Sequence, residues 1–381
     1  MRVEVFALDD TSVQVVWDGV PAGGMTVEAG PRQVERRSDG GPGAAVVDGL
    51  APGATVGVTI RPDRGPAHRA GVVTTLVPPP GRRLSRFATL NDVHIGACAF
   101  GTWRPRWNDD PADPHPERCL RAAIREALAW GAEAFVVKGD STQEGLPNQW
   151  ARFAAILAGA GRPVLAIEGN HDTHPPAVDG TAILARHGIA LTTNGAGHLD
   201  LPGVRLVAAP TAVWHTGVGR ISREVREQAV ALVGSASPGC GAVVAVHHYP
   251  QRLQPALTYP SGVPGRQARS FLDALAAANP ATVVLAGHTH RHRRRRHGSL
   301  VVAEVGSPKD FPGTWGAYTV YEGGIMQTVR RVSAPDAIAW TESGRRVLGG
   351  LWAYWASGLL DHRCWSHTWP PRPDRPAGPD G

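Results

Sequence analysis

Five short blocks gather aspartate, asparagine and histidine at spacings that can hold metal ions: Asp92-Val93-His94, Gly139-Asp140, Gly169-Asn170-His171-Asp172, His247-His248 and Gly287-His288-Thr289-His290. An asparagine oxygen can ligate a hard cation, and an imidazole beside it can meet a reacting group. Leaving Asp172 aside, the blocks together offer two carboxylates, one amide oxygen and four or more imidazoles, with no thiolate. Mixed nitrogen and oxygen donors of this kind suit Mn, Fe or Zn better than Mg or Ca. One four-coordinate zinc would leave several donors unused, whereas two adjacent ions sharing a bridging carboxylate use them all. Singly, each block is weak. Aspartate at a strand end is ordinary turn chemistry, as is Gly-Asn, and a lone histidine is often a satisfied core residue.

What positions these residues is a series of apolar runs. Phe87-Ala88-Thr89-Leu90, Ala134-Phe135-Val136-Val137, Val164-Leu165-Ala166-Ile167, Ala242-Val243-Val244-Ala245-Val246 and Thr282-Val283-Val284-Leu285-Ala286 each end at one of the blocks. Continuous apolar runs of strand length predict parallel strands buried on both faces, and the carboxyl ends of such strands are where α/β sheets place ligands. Between them, helical spacing marks Leu120 to Leu128, the stretch from Asn148 to Ala160, Val225 to Val233, and Ala268 to Leu275, stopped at Asn279-Pro280. Strands alternating with helices predict a layered α/β domain.

The first 76 residues read differently. Short alternating runs around Val3 to Ala7, Val13 to Trp17, Met25 to Val27, Val46-Val47 and Val56 to Ile60 are separated by turns such as Asp9-Asp10 and Pro52-Gly53, a pattern that predicts a small β-sandwich. Val77-Pro78-Pro79-Pro80 opens a stiff linker over residues 77–85. A domain over 86–330 and a C-terminal extension over 331–381 complete the division, the final Pro-rich residues from Pro370 being expected to be disordered.

Trp17 on the second strand and the Leu50-Ala51-Pro52-Gly53-Ala54-Thr55 turn resemble a fibronectin type III domain, with Val56 where that family usually carries tyrosine. Such a module implies a spacer or a docking surface for a protein partner. In the larger part, Asp-x-His, Gly-Asp, Gly-Asn-His-Asp, His and Gly-His-x-His, in that order, resemble the calcineurin-like metallophosphoesterase superfamily from about residue 86 to 330. That resemblance implies an α/β four-layer sandwich of two packed sheets flanked by helices. It also implies two transition metal ions and hydrolysis of phosphoester bonds by a metal-bridging hydroxide. Carried over, Asp92, His94, Asp140 and His290 hold one ion. Asp140, Asn170, His247 and His288 hold the other, and His171 is the catalytic histidine beside the leaving group. The short Gly-Asn-His-Asp, His247-His248-Tyr249-Pro250 and Gly-His-Thr-His blocks are most similar to class III cyclic nucleotide phosphodiesterases, and Asp-x-His and Gln143 argue against the purple acid phosphatase type.

One departure stands out. The family continues Gly-Asp-x-x-Asp, the last aspartate orienting the catalytic histidine, but this chain has Gln143 there. A neutral amide oxygen is expected to accept from His171 without raising its pKa as a carboxylate does. Of the adjacent pair only one can point the ligand way, and the resemblance favours His247; His248, like Gln143, is a candidate to stand behind the ligands or at the substrate rim. Trp103, Trp107 and Trp214 fall in loops expected near the site, and Trp214 is a candidate for its rim. The tail aromatics Trp352, Tyr354, Trp355, Trp365 and Trp369 read as packing against the domain.

Net charge is +6, carried almost wholly by arginine, since Lys138 and Lys309 are the only lysines. The run Arg291-His292-Arg293-Arg294-Arg295-Arg296-His297 could steer anionic substrates or nucleic acid, giving a nuclease as the rival reading. It reads better as a solvated hairpin end, because no aromatics interleave with it. A non-catalytic scaffold is a third reading, which no lost ligand supports. Four cysteines, Cys98, Cys119, Cys240 and Cys364, form no CxxC pair, which argues against a disulfide scaffold or zinc ribbon. No run approaches a membrane span, and Met1 to Val5 lacks a signal-peptide core. A cytoplasmic enzyme acting on a small phosphoester is the expectation.

Overall fold

A computed structural model describes residues 1–101, 105–253 and 260–370. Trp103 and the tail beyond Pro370 lie outside the described residues.

Two sheets make the centre of the larger part. A seven-stranded sheet runs, in spatial order, Ala190–Thr192, Val164–Ile167, Ala134–Lys138, Arg83–Leu90, Thr314–Tyr321, Gly324–Arg331 and Cys364–Thr368. Its first four strands are parallel and the rest antiparallel. A six-stranded sheet runs Gly197–Leu201, Val204–Ala208, Gly241–Ala245, Thr282–Ala286, Leu300–Glu304 and Arg293–His297, with a parallel middle. Both faces of each sheet are covered, which is why the central strands are largely apolar on both sides. In Ala134–Lys138, Ala134 and Val136 point to the partner sheet, whereas Phe135 and Val137 point to an outer helix layer.

Leu165, Ile167, Leu206, Val243, Leu285 and Tyr318 are among the side chains that close the space between the sheets. Helices His115–Trp130, Pro147–Ala158 and Pro335–Ser343 cover one outer face, and Arg223–Gly234 with Gly265–Ala278 the other. The first of these helices buries Leu120, Ala123, Ile124 and Ala127 at helical spacing and ends at Gly131 in the left-handed region (φ 100°). The result is four layers, helix–sheet–sheet–helix, as expected. No helix among the described residues is long and apolar enough to cross a membrane.

Ahead of it, seven antiparallel strands form two small sheets. One holds Arg2–Leu8, Ser12–Asp18 and Gly43–Asp48; the other holds Arg32–Ser38, Gly23–Ala29, Thr55–Pro62 and His68–Thr74. They close over Val13, Val15, Trp17, Val27, Val58 and Ile60. The strand Arg32–Ser38 has no counterpart in the sequence reading. It is an edge strand that turns only Val34 to the core among polar neighbours, so it carries no run of alternating apolar residues to detect.

The all-β part is tied to the far end of the chain. Cys364 joins its core, the Gln14 side chain exchanges two hydrogen bonds with the Arg331 backbone (2.8 and 2.9 Å), and Arg330 pairs with Asp9 at 2.6 Å. The sheet strand at Arg83 begins inside the span read as a linker, and the last strand of that sheet comes from the span read as an extension.

Candidate metal centre

Where parallel strands stop, the backbone turns sharply. Among the described residues seven that are not glycine have positive φ, and five of them are Asp92, His94, Asp140, His288 and His290, between 50° and 69°. Such conformations cost free energy and persist only where the surroundings impose them. The motif glycines show what imposes them here. A Cβ on Gly139 would lie 2.8 Å from the Gly169 backbone, so the Gly-Asp and Gly-Asn-His-Asp loops pass each other at a distance no side chain tolerates.

The structure brings Asp92, His94, Asp140, Asn170, His171, His247, His288 and His290 to one place. His247 Nε2 lies 3.1 Å from Asn170 Oδ1 and 3.4 Å from Asp140 Oδ2. His94 Nε2 is 3.6 Å from the same Asp140 oxygen, and His290 Nε2 is 3.6 Å from Asp92 Oδ1. Asp140 is thus central to both halves of the cluster. Sets such as Asp92–His94–His290 and Asp92–Asp140–His247 have donor atoms within 4.8 Å of one another.

The outer nitrogens settle which atoms face inward. His247 Nδ1 meets the Lys138 carbonyl at 2.8 Å, His94 Nδ1 meets Gln143 Oε1 at 3.1 Å, and His290 Nδ1 meets the Asp310 carboxylate. All three partners are acceptors, so each Nδ1 carries the proton and each Nε2 presents a lone pair inward. His288 is reversed: its Nε2 donates to Ser261 O at 3.1 Å, leaving Nδ1 as the lone-pair nitrogen. His94 Nε2 and His290 Nε2 face each other at 3.3 Å. Two ring nitrogens turned on one another and on two carboxylates make a place for a cation, which would replace any proton they share.

With no cation in the balance, the Asp140 carboxylate draws a proton onto His247 Nε2, a proton that a bound metal would displace. Burial lowers the His247 pKa, but the neighbouring Asp140 carboxylate outweighs it and lifts the group to about 9. His288, by contrast, is pushed down to about 3, first by burial and then by His247. Burial works against Asp140, yet His247 and the other rings hold its carboxyl well below the usual range.

His171 sits beside these groups, its ring edge-on to His94 with centroids 4.5 Å apart. Its backbone N–H donates to Asp140 Oδ1 at 2.9 Å. Here one expectation is corrected. The Gln143 side chain does not orient His171; it accepts from His94, and His171 Nδ1 donates instead to the Gln143 main-chain carbonyl at 3.0 Å. Gln143 offers two oxygens, and the backbone one is the partner His171 reaches. Asp172 does more than cap a turn: it accepts from the backbone N–H groups of Gly169, Ser141 and Thr142 and from the Thr142 hydroxyl, stapling two motif loops together.

His248 is buried beside the cluster. Its ring centroid is 4.4 Å from that of His288, Nδ1 meets Thr211 Oγ1 at 3.0 Å, and the Gly217 backbone faces the ring as well. Trp214 is 41% exposed and outside the cleft; Gly217 and Val218 of the same loop line it instead. Trp107 is likewise a surface residue, 66% exposed.

Three features had no signal in the sequence. Asp310 braces His290 and is itself paired with Lys309 at 2.8 Å. Lys138, fully buried beneath the cluster, donates to Ala286 O at 2.7 Å, and burial pushes its pKa down to about 7. A C-terminal segment, Gly344–Gly350 running into the helix Leu351–Ser357, forms a wall of the cleft that opens from the metal cluster.

The arginine run is a hairpin strand that is buried at Arg291 and His292, half-exposed beyond and exposed at Arg296. Arg291 is buried, pairs with Glu304 at 2.9 Å and lies over the Trp355 ring at 4.3 Å. Arg295 donates to Pro250 O at 2.7 Å. The aromatics that cover it come from the tail, over 50 residues later in the chain.

A family model for calcineurin-like phosphoesterases matches residues 85–292. The chain belongs to that family. As a calcineurin-like phosphoesterase it is a metal-dependent phosphoester hydrolase, and the family's centre is dinuclear, acting on small phosphoester substrates. Among solved structures it is similar to a purple acid phosphatase from yellow lupin (Lupinus luteus) seeds, at 14% identity over 87% of this chain and 72% of that one, with a TM-score of 0.47. It is also similar to PhoD, at 11% identity over 87% of both chains, with a TM-score of 0.43. No curated protein sequence matches it significantly.

Proposed function

We propose that this calcineurin-like phosphoesterase hydrolyses small phosphodiesters, cyclic nucleotides among them, with two ions drawn from Mn, Fe and Zn. Asp92, His94, Asp140 and His290 would hold one ion, and Asp140, Asn170, His247 and His288 the other. The observation that carries this reading is the pair of inward ring nitrogens of His94 and His290, 3.3 Å apart and each braced from behind. The donor set of imidazoles, carboxylates and one amide favours transition metals over Mg or Ca.

When bound, such ions neutralise phosphate oxygens and lower the pKa of a bound water. The chain's own residues do the rest. Gln143, Lys138 O and Asp310 fix the tautomers of three ligands. His171, its Nδ1 proton committed to the Gln143 carbonyl, turns Nε2 to the cleft and is the group that can give a proton to the leaving oxygen.

The all-β part pairs three strands against four, which supports reading it as a fibronectin type III-like module that acts as a spacer or protein-docking surface. Among the described residues it contributes nothing to the cleft.

Purified protein should carry at least about one transition metal per chain and hydrolyse bis(p-nitrophenyl) phosphate in added Mn²⁺. Metal-free protein that stays inactive after Mn²⁺ addition ends the enzymatic assignment to this centre. A competition among cyclic AMP, p-nitrophenyl phosphate and single-stranded DNA then separates phosphodiesterase, phosphatase and nuclease.

A further inference from the structure

The cleft in front of the metal cluster has a volume of about 960 Å³, far more than a phosphate needs, and its two ends differ in chemistry. One end is the cluster. The other is lined by Phe100, Leu348, Leu351, Trp352, Tyr354 and Trp355, residues the metal chemistry does not use. Three of them stand in water at the mouth: Tyr354 is 85%, Leu351 69% and Leu348 48% exposed. Leu348 is also held at φ 52°, a strained conformation for leucine.

The tryptophans are fixed rather than loose. Trp352 Nε1 donates to Phe311 O at 3.1 Å and its ring meets Phe100 edge-on at 5.2 Å. Trp355 Nε1 donates to Thr289 O at 3.4 Å, the residue between His288 and His290. Both indole donors are therefore spent on the site's own backbone; Arg291 covers a face of Trp355, and Trp352 is left to offer its ring. Away from the cluster, the described lining has little with which to read the hydrogen-bonding edge of a ligand.

We infer that this C-terminal wall is a binding subsite for a flat ring carried by the ester, so that the enzyme selects phosphoesters with an aromatic substituent over those with a short or flexible one. The inference rests on the proposed phosphoesterase reading of the same cleft. A planar group presents a π face to Trp352 and Tyr354 whether it comes from an aryl ester or a nucleobase, and offset or edge contacts with such rings are favourable. Exposed apolar groups beside an active site are explained by what covers them during turnover.

The test compares two diesters with one leaving group, bis(p-nitrophenyl) phosphate and methyl p-nitrophenyl phosphate, in the Mn²⁺-loaded full chain. Taking the ratio of their kcat/KM values in variant and parent cancels their intrinsic reactivities. Tyr354→Ala and Trp352→Ala should each lower the aryl-over-methyl ratio roughly fivefold, the size of one lost aromatic contact, and Trp352→Phe should restore most of it. Tyr354 is so exposed that its truncation cannot be confused with misfolding.

An octyl p-nitrophenyl ester distinguishes a flat-ring subsite from a merely greasy one, and a thymidine p-nitrophenyl ester distinguishes nucleobase from simple aryl as the ring's source. Unchanged ratios, or preference for the octyl ester over both ring esters, overturn the inference. Calorimetry with phenylphosphonate and methylphosphonate gives a readout independent of turnover. Absence of all hydrolysis defeats the functional reading, whereas equal affinity for the two phosphonates defeats this one.

Discussion

The wall of the cleft that carries His94, Asp140, His247 and His290 is braced atom by atom, whereas the side chains of the wall from Leu348 to Trp355 are tied through two indole N–H groups. On the first, ring nitrogens have assigned partners, and loops cross so closely that glycine is required. On the second, large apolar groups stand partly in water. The contrast separates two demands. Holding like-charged ions and aiming a proton needs geometry fixed to fractions of an ångström, whereas gripping a substituent needs area and tolerates change.

Breaking the first wall should cost far more than breaking the second. Asp140→Ala removes the carboxylate that reaches both halves of the cluster, and should strip metal and abolish turnover together, as read by elemental analysis and diester hydrolysis. His171→Ala should slow kcat by roughly 10²–10⁴-fold while metal content stays at the parent level. Loss of metal in that variant would place His171 among the ligands. Asp310→Ala should weaken metal binding or activity by roughly 10–100-fold, with Asp310→Asn recovering part of it because an amide oxygen still accepts from Nδ1. Gln143→Ala sits at the mild end of the same range, about tenfold, because a neutral brace on His94 is lost. Its signature is a lower metal affinity. A shift in the pH–rate profile with metal affinity unchanged would show that the Gln143 side chain acts on His171 after all.

The braced wall was legible in the sequence because its aspartates, asparagine and histidines come in short blocks at the ends of apolar runs, where local pattern and local geometry coincide. The four-layer fold was legible for the same reason: Phe135 and Val137 on one face, Ala134 and Val136 on the other, leave no polar side for solvent. What the sequence hid depends on long-range choice. Gln143 offers a side-chain and a backbone oxygen, and nothing in the order of residues says which neighbour takes which. Asp310 lies 20 residues beyond His290 in a loop without a motif. Trp352 and Trp355 have the composition of core residues, and only the path of the tail back across the cleft gives them a site to line.

The two lysines carry a practical consequence. All other basic side chains of the 39 are arginine, and Lys138 and Lys309 are 0% and 5% exposed, one beneath the cluster and one in the wall of the cleft. Coupling reagents that seek amines at a protein's surface therefore meet the α-amino group of this chain before either lysine. Acylation of Lys309, when mass spectrometry finds it, reports access to the cleft that Lys309 lines, and its suppression by added phosphate would report occupancy.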